Sequence, residues 1–582
     1  MTHQAFHLRR PSGLRQARRL ALASALALLL AAGAADAQQA PQETTMIKLI
    51  RGLMDSGALK PEVGEALLVQ ARAEAQAAAT APRTAATQSA QPQLQPGDVR
   101  VPYIPETVRD QIREEVSNDV MARAQAEGWA APHEVPDWTQ RLKLYGDVRV
   151  RNESRFYSGD NSNIEVDWAA INEGDGFDVN PNTNLELPPL RNTRQDRKNS
   201  WRIRARLGVL AEISEQATAG IRLATGNDDN PVSMTQTLGG GLEKKDLWLD
   251  QAWLSYRFGT WFQVTGGRFA NPYWSTETLF SNDLSFDGLA FDYRQPFEGD
   301  WTIFATLGLS PLEYSSDSFP SRSQDKEESH DKWLNGLQVG TSWRFASDNE
   351  LRGAIGYYDF RNINGALSEP CELYAGADAC STDWSRPTFM QKGNTLMMLR
   401  DIAPNPLDPA NTPMPQYVGL ASEFEVLDLN LRWDTLVGGR FGLRLEADYL
   451  RNLAYDENKM WTRAEGGIVN NFGDGGTTDQ GNFESGDTAY QLQATFGNFE
   501  LKNAGQWNML MGYRRVEPDA LPDAYNDSDF HLGGTNAKGY FVEGSYAFAR
   551  NTFLTARWFA AKEVFGPPLS IDVLQLEVNT GF

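Results

Sequence analysis

From Arg141 onward the chain alternates in side-chain character with a period of two, in segment after segment. In the first, Leu142, Leu144, Val148 and Val150 alternate with Lys143, Tyr145, Asp147, Arg149 and Arg151. In the second, Trp201, Ile203, Ala205, Leu207 and Val209 alternate with Arg202, Arg204 and Arg206. Successive side chains of a strand point to opposite faces, so each segment has one apolar and one wet face. A single such strand fits a soluble sandwich as well as a membrane barrel; the series decides. Similar segments recur near 217–226, 246–258, 261–268, 288–295, 301–309, 333–345, 350–361, 423–434, 440–451, 487–497, 505–516, 538–548, 552–562 and 570–582, making sixteen in all. Their connections alternate between short (Ala346–Asn349, Thr435–Gly439, Ala549–Asn551) and long (Asn362–Ser422, Asn452–Gly486). Tight turns at one end and extended loops at the other belong to outer-membrane barrels. The expectation is an all-β membrane protein: a closed antiparallel transmembrane β-barrel of about sixteen strands, apolar outside and wet inside, with a small α-helical N-terminal region.

Aromatic residues gather beside the short turns, at Phe258 and Trp261, Trp343 and Phe345, Trp433 and Phe441, and Phe548 and Phe553. That is where an interfacial girdle sits. The last segment places Leu574, Leu576, Val578, Thr580 and Phe582 on one face, and its terminal Phe582 is similar to the signal by which barrel-insertion machinery selects its clients. After Ala35 no apolar run approaches the roughly 20 residues of a membrane helix. The mean hydropathy of −0.47 does not argue against a membrane barrel, whose strands average to near neutrality.

The residues before the alternating region divide into parts. Arg9, Arg10, Arg15, Arg18 and Arg19, an apolar run from Leu20 to Ala32 and the site Ala35-Asp36-Ala37 read as a cleaved secretory signal over 1–37. Residues 38–79 read as a periplasmic helical hairpin, with Ile47, Leu49, Ile50, Leu53 and Met54 before Gly57, and Pro61 opening a second helix. Residues 80–104, rich in Ala, Gln, Pro and Thr, read as a linker. Residues 105–137 hold a periplasmic amphipathic helix and connector, in which Val108, Ile112, Val116 and Val120 form one narrow apolar stripe. That stripe needs a partner: a second subunit, the barrel rim, or its own domain. The barrel is expected over 138–582.

The formal net charge is −22; loss of the signal removes five arginines and Asp36 and makes it −26. So acidic a chain is not expected to bind nucleic acid. Its acidic loops would lie beside lipid and lipopolysaccharide, where divalent cations could bridge the two. Cys371 and Cys380 share one loop-like stretch and read as a local disulfide in an exported protein. No Cys/His spacing suits a metal, and no cofactor is expected.

Several runs are familiar together. They are Val101-Pro102-Tyr103-Ile104-Pro105-Glu106; Gln111-Ile112-Arg113-Glu114-Glu115-Val116; Glu127-Gly128-Trp129-Ala130; Pro136-Asp137-Trp138; and Gly146-Asp147-Val148-Arg149-Val150-Arg151. Further on come Gly267-Arg268-Phe269 with Pro272-Tyr273-Trp274-Ser275-Thr276, and Asn282-Asp283-Leu284 with Asp287-Gly288-Leu289. In these the chain resembles the proteobacterial putative-porin family. The resemblance covers essentially the whole mature chain and implies an outer-membrane pore and, by analogy with porins generally, a homotrimer. It implies no particular solute.

A barrel of this size encloses water, so selectivity falls to side chains at a constriction. Lumen-facing arginines cluster on the first three segments: Arg149, Arg151, Arg202, Arg204, Arg206 and Arg222. In general porins the loop after the fifth strand folds inward. Here that segment, Ala270 to Asp287, brings Glu277, Asp283 and Asp287. Acids facing a basic wall would set a transverse field; the alternative is that the arginines pair with lumen carboxylates for stability. Passive diffusion of small hydrophilic solutes or ions is the expected function. The alternative is a structural anchor whose helical region binds cell wall or another envelope protein. Enzymatic chemistry is not expected: His330 beside Asp331 and His531 near Asp529 lie in loops, without supporting neighbours.

Overall fold

The protein, a computed structural model, is described over Thr139, residues 141–473 and residues 478–582. The expected signal, hairpin, linker and amphipathic helix (1–137) lie outside the described residues.

Sixteen long strands form the barrel. In chain order they are β1 (Leu142–Tyr157), β2 (Arg197–Glu212), β3 (Ala217–Thr225) and β4 (Leu247–Phe258). Then come β5 (Phe262–Ala270), β6 (Ser285–Phe297), β7 (Trp301–Glu313) and β8 (Lys332–Ala346). The third quarter is β9 (Asn349–Arg361), β10 (Phe424–Val437), β11 (Phe441–Asn452) and β12 (Thr488–Gly497). The last is β13 (Trp507–Val516), β14 (Ala537–Ala549), β15 (Thr552–Glu563) and β16 (Ser570–Gly581). Each pairs antiparallel with its sequence neighbours. β1 pairs with β16 from Asp147 opposite Gly581 to Tyr157 opposite Ile571, so the sheet is closed and has no edge. A two-residue strand, Gln236–Thr237, extends the sheet beside β2 on the loop side.

The connections alternate as the sequence implies. Turns occupy 213–216, 259–261, 298–300, 347–348, 438–440, 498–506 and 550–551; loops occupy 158–196, 226–246, 271–284, 314–331, 362–423, 453–487, 517–536 and 564–569. The outward positions carry exposed apolar residues such as Leu144 (63%), Ile221 (56%), Leu254 (54%) and Met511 (64%). A continuous greasy surface of this kind belongs in lipid. Among the described residues no helix is long and apolar enough to cross a membrane; the strands do the crossing. Trp301 and Trp343 stack at 4.9 Å beside the turns. A second aromatic band, which the sequence reading did not anticipate, runs through Tyr490, Tyr513 and Tyr540 on neighbouring strands nearer the loops, with ring centroids 6.0 and 4.9 Å apart. Phe582 is exposed and exchanges two backbone hydrogen bonds with Gly146, at 3.0 and 3.1 Å.

The interior departs from a uniformly wet lumen. Its loop-side half contains an apolar core in which Leu279 and Phe280 of loop 271–284, Leu396 and Leu420 of loop 362–423, and Leu521 of loop 517–536 pack on inward residues Tyr358, Phe424 and Leu450. Long loops bury their own apolar side chains where water is easiest to exclude, inside the barrel mouth. Some polar groups buried with them are bonded, as where Asn394 Nδ2 donates to the carbonyls of Pro518 (2.6 Å) and Leu521 (2.9 Å). Cys371 and Cys380 are disulfide-bonded within loop 362–423.

Candidate functional site

Loop 271–284 leaves β5 and crosses the lumen. Its first anchor is Tyr273, whose ring meets Tyr358 edge to face at 5.0 Å. Gly308 and Gly336, opposite each other on β7 and β8, leave the slot for it; a Cβ on either would lie 2.0 or 2.3 Å from the Tyr273 hydroxyl. Trp274 is then fixed by Gln338 of β8, which accepts from its backbone N–H at 2.9 Å and donates to its carbonyl at 2.8 Å. Farther on, Thr276 donates to Asp448 of β11, and Thr278 donates to Gln491 of β12 at 3.1 Å. The return limb is tied to other loops: the Ser281 N–H donates to the Tyr525 carbonyl at 2.9 Å and its hydroxyl to the Val232 carbonyl at 2.9 Å.

Of the three acids expected here, Asp283 meets the arginine wall. It accepts from Arg204 Nη1 at 2.9 Å and lies 3.8 Å from Arg206 Nη1. Glu277 belongs to the other end of the crossing: it accepts from Asn282 Nδ2 at 2.8 Å and lies in the field of Arg557 and Arg514. Burial, and then the neighbouring Asp527, push its carboxyl up to about 7 against those two arginines. Asp287 is in β6 rather than in the loop. It sits on the face opposite the buried Phe286 and pairs with Arg268 at 3.0 Å.

The six expected arginines are brought to the lumen with unequal partners. Arg204 and Arg206 share Asp147 at 3.0 and 2.6 Å, and Arg202 meets Glu153 at 3.1 Å. Arg151 is fully buried between Glu577 at 2.5 Å and Asp529 at 2.8 Å. Burial alone would raise Asp529; Arg151, with Arg149 and Arg557, outweighs it and holds that carboxyl well below the carboxylate range. Arg149 donates to the Thr235 hydroxyl at 2.5 Å. Arg222 meets Asp250 through a β-bulge: register shifts between Arg222 and Leu223, so the consecutive Asp250 and Gln251 are both buried.

Beyond the arginines expected on the first three strands, others line the lumen. Arg294 of β6, Arg352 of β9, Arg432 of β10, Arg444 of β11, Arg514 of β13 and Arg557 of β15 also occupy lumen positions. Arg352 and Arg432 are directly opposite in register. The guanidinium of Arg352 lies 4.2 Å from the Trp274 ring centroid and 4.5 Å from that of Phe304. The same odd-even rule marks these residues, since Arg432 falls between outward Leu431 and Trp433. Each is the one lumen-facing arginine of its strand, so they stand out less than Arg202, Arg204 and Arg206.

A family model described as "Putative porin" matches residues 43–582. The chain belongs to that family. This porin resembles solved barrels at low identity. The outer membrane channel DcaP of Acinetobacter baumannii matches at 10% identity with a TM-score of 0.36, over 76% of this chain and 97% of that one. OprB of Pseudomonas putida matches at 11% with a TM-score of 0.39, over 76% and 95%. OmpF of Salmonella typhi, solved with daunomycin, matches at 11% with a TM-score of 0.34, over 76% and 97%. No curated protein matches the sequence. Family and fold together make the protein a porin-like outer-membrane channel rather than an enzyme. The loop histidines have other partners: His330 stacks on Trp384 at 4.2 Å, and His531 is buried between Lys392 Nζ (2.7 Å) and the Leu569 carbonyl (2.9 Å). Among the described residues no cluster of three or more His, Cys, Asp or Glu is arranged for a metal.

Proposed function

We propose that this porin passes small hydrophilic solutes or ions by passive diffusion, through the lumen narrowed by loop 271–284. The observation carrying this reading is the crossing itself: one loop held to β8, β11 and β12, with Asp283 at one end facing Arg204 and Glu277 at the other facing Arg514 and Arg557. Charges fixed on both sides of a narrow water path exert a field on whatever passes. The assembly is a homotrimer in the outer membrane, with residues 38–137 in the periplasm. The test is reconstitution of the purified protein in planar bilayers bathed in KCl. Discrete, voltage-independent conductance steps are expected, and these survive deletion of residues 38–131. A folded, inserted protein without conductance would remove the reading.

A further inference from the structure

On the turn side of the crossing loop a cavity of about 300 Å3 opens into the lumen between Trp274, Asp292, Arg294, Phe304, Gln338 and Arg352. Its walls are fixed. Gln338 holds both backbone polar groups of Trp274, and the Trp274 and Phe304 rings meet edge to face at 6.4 Å. Arg352 lies against both rings, and Arg294 lies 5.9 Å from the Phe304 centroid. Among the described residues neither Arg294 nor Arg352 has a carboxylate oxygen within 4.0 Å, and Nε of Arg352 is buried without a hydrogen-bond partner. Asp292 is the single acid lining the cavity, and it already accepts from the Thr306 hydroxyl at 2.8 Å.

This arrangement is unlike the wall across the lumen, where Arg151, Arg202, Arg204 and Arg206 have carboxylates of the protein itself. A guanidinium stays charged, and its N–H donors all lie in one plane. In Arg352 the guanidinium is packed in the corner between the Trp274 and Phe304 rings, and no carboxylate of the described residues lies within 4.0 Å of it. A planar fork is matched by a carboxylate or a phosphate, either taken by two parallel hydrogen bonds. The aromatic walls suit a short carbon skeleton, and the volume sits at the small end of ligand sites. A doubly charged phosphate would sit less well beside Asp292.

We propose that this cavity is a subsite for small organic carboxylates, with Arg352 and Arg294 binding the carboxylate and Trp274 and Phe304 flanking the carbon chain. It deepens the pore reading by naming a solute class, and it rests on that reading for its role in passage. Binding, however, is measured without conductance. Detergent-solubilised full-length protein is titrated with succinate, benzoate and inorganic phosphate by calorimetry. One saturable carboxylate site per chain is expected, weakened at least tenfold in Arg352→Gln and also weakened in Arg294→Gln. It is retained in Arg268→Gln, whose side chain lies on the other face of the wall. Heat-modifiable migration on gels verifies that each variant is folded, and Arg294→Gln carries the test if Arg352→Gln is not. Absence of saturable binding, equal affinity in a folded Arg352→Gln or Arg294→Gln, or binding of phosphate alone would overturn the subsite. Wild-type conductance in KCl reads the pore assignment separately: loss of conductance with intact carboxylate binding removes the pore and leaves the site.

Discussion

On the β1–β2 wall Arg151, Arg202, Arg204 and Arg206 each meet a carboxylate within 3.1 Å, whereas across the lumen Arg294 and Arg352 meet none and Arg352 rests on two rings. Both walls touch the same crossing loop, through Asp283 on one side and Trp274 on the other. Two arginines at equivalent lumen positions can therefore serve different ends. Where acid and base are matched within the protein, the charge is spent on holding loops and strands together, and little field is left for a solute. Where the matching acid is missing, the charge is available to the contents of the pore.

The largest expected effect breaks the matched wall at its most buried point. Arg151→Ala removes the cation buried between Glu577 and Asp529, leaving them the more distant Arg149 and Arg557, and should cost roughly 3–5 kcal/mol in denaturant unfolding. An equal cost for Arg352→Ala would erase the distinction between the walls. Next comes Asp283→Asn, which weakens the ionic tie of the crossing loop to Arg204 and Arg206. It should cost about 2 kcal/mol and raise single-channel conductance as the loop loosens. Unchanged conductance would mean that the Arg204 contact does not set the width of the path. Arg352→Gln should be gentler on stability, about 0.5–2 kcal/mol, because it removes ring contacts and no ion pair. Its mark should be a reversal potential in a KCl gradient displaced toward cation preference; displacement toward anions contradicts the role given to that wall.

The smallest effect is a pH dependence. Glu277 is raised to about 7 from an ordinary 4.5, so the folded protein holds its proton more tightly than the unfolded chain does. The contribution to stability is present at low pH and is lost as pH rises from 4.5 through 7. Across the same range the constriction gains one negative charge, so cation preference should increase modestly between pH 6 and 8. Glu277→Gln should flatten that response, and a slope that persists in the variant assigns it to another group.

The barrel was legible because its rule is simple: with lipid on one side and lumen on the other, side chains alternate, and the alternation survives noise over sixteen strands. The rule fails where the lumen is not wet. β6 begins at Ser285, not at Gly288, because inward Phe286 is apolar and packs on the crossing loop, so the rhythm there is reversed. Asp287 was thereby assigned to the loop. A bulge hid Asp250 in the same way, since two successive residues face inward and no period of two predicts that. Asp283 was legible as a loop acid opposite arginines, but the division of labour between the walls was not. It depends on which carboxylates lie within reach, and that is a property of register across distant strands.

The seam between β1 and β16 has a consequence in time. Arg151 finds Glu577 across 426 positions of sequence, and Glu577 belongs to the final strand. Until that strand arrives, Arg151 lacks its Glu577 contact and has Asp529 as its nearest carboxylate. Contacts so remote in sequence make for slow assembly. Completion of the cylinder and completion of this buried ion cluster thus depend on the same strand pairing.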